Sequence, residues 1–196
     1  GTACVERSFF FFFYHFISPP VSGQNSSLFN DAYDFFGYVE GSGWQFNPTG
    51  TLNVGKGYLI SYNASTPTKA YCGSINTGNI DEPVTYTSGD GWNLIVNPYA
   101  SHLVVASFIN ANVIGSGSTY QSINGTIYLW DEGGSWTSGN GDYATRTTTT
   151  GVAGGGGHTP GPNIEPGQAF FVEPPTGATH STVRFANTMR TNSTNY

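Results

Sequence analysis

The sequence predicts an all-β protein, a jelly-roll-like β-sandwich with little helix, and three observations carry that prediction. Aromatic residues make up 15% of the 196 residues, and 27 glycines and 11 prolines punctuate the chain. The strong helix formers Ala, Leu, Glu, Lys, Gln and Arg are scarce, while the strand formers Thr and Tyr abound. Short apolar runs recur between clusters of Gly, Pro, Asn and Asp, the spacing of strands joined by turns.

Taken in order, the elements form two divergent copies of one β-unit, residues 9–82 and 83–196, behind an N-terminal arm of residues 1–8. The arm comprises Gly1 and then Thr2, Ala3, Cys4, Val5, Glu6, Arg7 and Ser8. Phe9 to Phe13 follow as five consecutive phenylalanines, which the alternation of a one-sided strand does not explain. Phe16-Ile-Ser-Pro-Pro-Val21 then matches Leu94-Ile-Val-Asn-Pro-Tyr99, an apolar strand stopped by proline. Tyr38-Val-Glu40 followed by Trp44 matches Tyr128 to Glu132 followed by Trp136. Leu52 to Ile60 matches Ile164 to Val172, and Tyr71 to Asn76 takes the place of Val183 to Asn187. Ser101 to Val113 is the best helical candidate, short and without strong caps. The copies differ by a Gly-rich insertion at about residues 137–163, whose Gly151 to Pro162 stretch has no strand or helix pattern. The matching positions of Trp44 and Trp136 predict a shared role in the core.

Several of these fragments resemble a module of extracellular Bacteroidetes proteins exported by the type IX secretion system. They are Gly91 to Tyr99, Ile127 to Asp131, Ile164 to Val172 and Phe185 to Arg190, with Phe16 to Gly23 and Val54 to Tyr62 as the upstream part. The resemblance covers most of residues 14–191. It implies a secreted β-sandwich, usually followed by a cleavable sorting domain. None follows Arg190, as a mature cleaved product would read. The Phe9 to Phe13 run departs from the module's first strand. The resemblance implies no settled activity.

Charge narrows the function classes. Twelve acidic against six basic residues give a formal charge of −6, which excludes counterion-driven nucleic-acid binding. The longest apolar run, Phe9 to Ile17, includes His15 and falls short of the ~20 residues of a membrane helix, so no membrane insertion is expected. Cys4 and Cys72 lack metal-type spacing and are read as a possible disulfide, within one chain or between chains, or as two reduced thiols.

No catalytic, cofactor or metal site emerges from the motifs, and the chain is not expected to be an enzyme. Gly50 to Lys56 matches G-x-x-x-x-G-K, but Gly57 stands where a phosphate loop needs Ser or Thr, and a strand follows instead of a helix. His15, His102, His158 and His180 are scattered singly. Asp31, Asp34, Glu40, Asp131, Glu132 and Asp142 are the carboxylates a glycosidase pair would draw on, but turn and strand-end settings account for most of them. The Asp131 to Asp142 stretch offers oxygens but lacks the ligand spacing of a calcium loop.

Two functions remain. The first is a secreted structural protein, a subunit of an extracellular filament or surface layer whose partners are copies of itself. In it, the residue 1–8 arm adds as a strand to a neighbour's sheet edge, in a chain with little charge to keep edges apart. The second is a cell-surface binding module for glycans or other cells. Tyr120, Tyr143 and Tyr196, outside the matched strands, are its candidate exposed aromatic residues.

Overall fold

A computed structural model describes residues 1–10, 13–87, 91–115, 120–131, 143–176 and 181–192. The fold is all-β and sandwich-like, with one α-helix among the described residues. The first copy contributes β1 (Thr2–Ser8), β2 (Tyr14–Ile17), β3 (Val21–Ser22), β4 (Asp34–Val39), β5 (Gly43–Phe46), β6 (Tyr58–Ser61) and β7 (Thr68–Ile75). The second opens with β8 (Ile80–Pro83), β9 (Asn93–Val96), β10 (His102–Val104), α1 (Val105–Asn112) and β11 (Ile127–Trp130). It continues with β12 (Tyr143–Arg146), β13 (Gly151–Val152), β14 (Asn163–Ile164), β15 (Ala169–Val172), β16 (Thr182–Phe185) and β17 (Arg190–Thr191).

Two central sheets, ordered β2-β6-β4-β5 and β13-β12-β11-β15-β9, form the body of the molecule. Their strand registers superpose the copies. Phe16 pairs with Leu59 and Ile17 with Tyr58 in the first, as Leu94 pairs with Phe171 and Ile95 with Phe170 in the second. The outer strands follow the same plan, since β1 pairs with β7 as β8 pairs with β16. Thr2–Ser8 is therefore the opening strand of the first copy. This corrects the expectation of a free arm: its seven residues run antiparallel to Thr68–Ser74 of the same chain, and β8 crosses the expected boundary at residue 82.

All four residues of β6 and all four of β15 are buried, because each strand has a core on both faces. Tyr58 and Ile60 point into a first-copy core with Phe9, Ile17, Phe29, Phe35 and Tyr71. Phe170 and Val172 point into a second-copy core with Ile95, Ile127, Val183, Phe185 and the α1 residues Phe108 and Ile109. The opposite faces meet in a third layer, built from Phe16 and Leu59 of one copy and Leu94, Val96, Ala169 and Phe171 of the other. Of the phenylalanine run, Phe9 is fully buried while Phe10 is 67% exposed; Phe11 and Phe12 lie outside the described residues.

The copies also exchange backbone contacts at equivalent points. Lys56, before β6, bridges Ile95 of β9, and Gln168, before β15, bridges Ile17 of β2. The Val96 N–H donates to Gly55 O at 2.9 Å, and its counterpart Ser18 N–H donates to Gly167 O at 3.0 Å. Both turns need a left-handed residue before the bridge, and Gly55 (φ 95°) and Gly167 (φ 66°) supply it. The G-x-x-x-x-G-K match is thus a turn into a strand that ties the copies together.

Candidate functional site

Strand alternation places Phe36 and Tyr38 of β4 and Trp44 of β5 on the shared face, opposite Trp92, Tyr128, Trp130, Tyr143 and Phe171. Ladder pairing sets Trp44 across from Tyr38 and Tyr143 across from Trp130. The two pairs have nearly the same geometry, 5.1 Å and 79° against 5.3 Å and 76°. Phe171, only 5% exposed, is the hub of the layer. Tyr38, Trp44, Trp92 and Tyr143 meet its ring at 4.9 to 6.0 Å and 75° to 83°, the edge-to-face geometry that aromatic rings prefer.

Towards solvent the layer opens into a cleft of about 490 Å³ lined by Tyr38, Trp44, Trp92, Tyr128, Tyr143, Thr145 and Phe171. Six of these seven residues are aromatic, and none is charged. Burial raises the hydroxyl pKa of Tyr143, reinforced by Tyr38, and that of Tyr128, reinforced by the Glu173 charge. Both stay protonated at neutral pH, so these two hydroxyls bring no charge to the cleft.

Trp44 was expected in the core; at 38% exposed it forms a wall of this cleft. Tyr143, expected as an exposed binding residue, lines the cleft while half-buried. Tyr120 lies apart from it, its ring 4.2 Å beneath the Arg184 guanidinium. Trp136 and Tyr196 lie outside the described residues. Tyr38, Trp92 and Tyr128 were missed as site residues, although each lies in or beside a matched strand.

Cys4 and Cys72 are directly opposed on β1 and β7 and form an intrachain disulfide on exposed positions of the sheet. A structural disulfide belongs to an oxidising, non-cytoplasmic compartment. No helix among the described residues is long and apolar enough to cross a membrane.

Folding brings some scattered polar residues together. His158 Nδ1 lies 2.8 Å from the buried Asp131 carboxylate, which also accepts the His158 backbone N–H at 3.1 Å. Arg146 donates to Pro160 O at 3.1 Å, so two contacts fasten the Gly-rich loop over β12. His102, 3.2 Å from Glu165, lines the same cavity of about 310 Å³ as His158. Among the described residues no group of three His, Cys, Asp or Glu side chains is placed to hold a metal. Asp31 pairs with Lys69 at 2.6 Å, and Asp34 accepts from the Ser61 hydroxyl at 2.8 Å. Glu40 accepts from Thr85 and Thr87, while Glu132, Asp142 and His180 lie outside the described residues.

A family model, Domain of unknown function (DUF8693), matches residues 1–196. The chain belongs to this family. No curated protein and no solved structure matches it. The functional reading of this DUF8693 chain therefore rests on its own geometry, and the cavity with the most distinctive lining is the aromatic cleft between its two copies.

Proposed function

We propose that the protein is an extracellular binding module that holds a carbohydrate in the aromatic cleft. The observation that carries this reading is the lining: six rings from both copies around about 490 Å³, with neutral hydrogen-bonding groups at their edges. Sugar rings present apolar C–H faces and polar rims, which match flat rings bordered by hydroxyl and indole groups. The volume lies within the range of small-ligand sites. The disulfide and the likeness to exported type IX modules support a location at the cell surface. Titrating the protein with a panel of soluble oligosaccharides while recording tryptophan fluorescence tests the reading. A saturable change that Trp44→Ala removes supports it; no response to any sugar refutes it.

A second reading, the filament or surface-layer subunit, is favoured by strand edges that sheet order leaves open, β1 and β5 among them. The outer sides of β1 and β5 have no partner strand among the described residues, and Trp44 and Phe46 stand exposed on β5. In this reading β1 stays in its own sheet and offers its outer edge to a neighbour. Negative-stain imaging over a range of concentrations decides it, since monodisperse particles throughout would rule assembly out.

A further inference from the structure

The chemistry of the cleft walls restricts which carbohydrate fits, an inference that rests on the binding reading above. We infer that the ligand is an uncharged glycan built from sugars with equatorial ring substituents, of the gluco- or xylo-configured, β-linked kind. The first restriction is electrostatic. No Asp, Glu, Lys or Arg lines the cleft, and the Tyr128 and Tyr143 hydroxyls stay protonated, so a carboxylate or sulfate would lose its hydration without gaining a counter-charge. The chain's net charge of −6 adds a repulsive field for acidic polysaccharides.

The second restriction is geometric. Tyr38 and Trp44 come from the first copy, while Trp92, Tyr128, Tyr143 and Phe171 come from the second. A sugar that fills the cleft contacts rings contributed by both copies, so a sugar with two apolar faces fits it best. Equatorial hydroxyls leave both faces to C–H groups. An axial hydroxyl, as in galacto- or manno-configured sugars, turns a polar group onto a ring face that cannot hydrogen-bond it. Such a desolvated hydroxyl discriminates against the epimer.

Isothermal titration of the intact protein tests this with three ligand sets. They are cello- and xylo-oligosaccharides, galacto- and manno-oligosaccharides of equal length, and oligogalacturonate as the charged set. The expected result is binding of the first set, binding of the second weaker by roughly tenfold or more, and no heat from the third. Affinity for the first set should not change between low and high salt, and Trp92→Ala should weaken it while circular dichroism stays native. Binding of axial or charged sugars as tight as the first set overturns the inference but leaves the binding reading standing. Silence from all three sets overturns both.

Discussion

The Glu82 carboxylate lies against Gly55, so close that a β-carbon on that glycine would stand 2.7 Å from Oε2. This contact sits beside the Lys56–Ile95 bridge where the copies meet, in a cavity of about 450 Å³ that also holds Lys56, Glu40 and Asn93. Burial pushes the Glu82 carboxyl up to about 7, and the nearby Lys56 charge only partly offsets it.

Stability should therefore depend on pH through Glu82. Its folded pKa is raised above the ordinary carboxylate value, so the contribution is complete below about pH 4.5 and is lost as pH rises through about 7. The ceiling on the loss is about 3 kcal/mol. Glu82→Gln should raise the melting temperature at pH 8 and flatten its pH profile between pH 5 and 8. A profile identical to that of the wild type would show that Glu82 ionises freely.

Gly167→Ala should cost about 2–4 kcal/mol, because the new methyl meets two penalties at once. The residue has φ 66°, and an added β-carbon would stand 2.4 Å from the backbone oxygen of Ser18. Gly50→Ala, with φ 94° but open space around it, carries the conformational penalty alone and serves as the control in urea unfolding.

Asn112 should rank among the most sensitive polar positions. It is fully buried, donates to Phe108 O at 2.8 Å and Arg184 O at 3.0 Å, and accepts from the Arg184 N–H at 2.8 Å. It thereby fastens α1 to β16. Asn112→Ala leaves buried backbone groups without partners, and a loss of about 2–4 kcal/mol is expected in chemical denaturation. Thr77→Ala, near an exposed Asn187 contact, should change stability by less than about 0.5 kcal/mol.

Reducing the Cys4–Cys72 bridge should destabilise the fold by about 4 kcal/mol, because it closes a loop with a sequence separation of 68. Paired melts with and without reductant measure the effect. The bridge stands on exposed positions, so mild reductant should reach it in the native state. A melt unchanged by full reduction would mean that the β1–β7 ladder closes the loop unaided.

Several of these positions were legible in the sequence. The match of Leu52–Ile60 with Ile164–Val172 located both junction glycines, and ladder registers superpose the same residues. The match of Tyr38 with Tyr128 slipped by two. Register sets Phe36 across from Leu59 as Tyr128 is across from Phe171, so Tyr38 corresponds to Trp130 and Trp44 to Tyr143. Aromatics repeat at every second position on these strands, and a two-residue slip keeps every ring on its face. Thr2–Ser8 read as an arm because its partner β7 lies far along the chain and Glu6 and Arg7 break its apolar pattern. The cleft itself was hidden, since a ring in a matched strand looks the same whether it meets another sheet or solvent. The His158–Asp131 contact is a product of tertiary folding across a glycine-rich loop that shows no periodicity.

The reciprocal bridges also bear on how the chain can be made. A ribosome that has released β1 to β7 has produced a copy whose Phe16, Phe36, Leu59 and Tyr38 still lack the cover that β9, β11 and β15 supply. That aromatic surface stays sticky until residue 172 has emerged, near the end of the described chain. Nor can β2 hold its Gln168 contact before that turn exists. Final locking must wait for both copies, so the first copy's shared face is completed only once β15 of the second has been made.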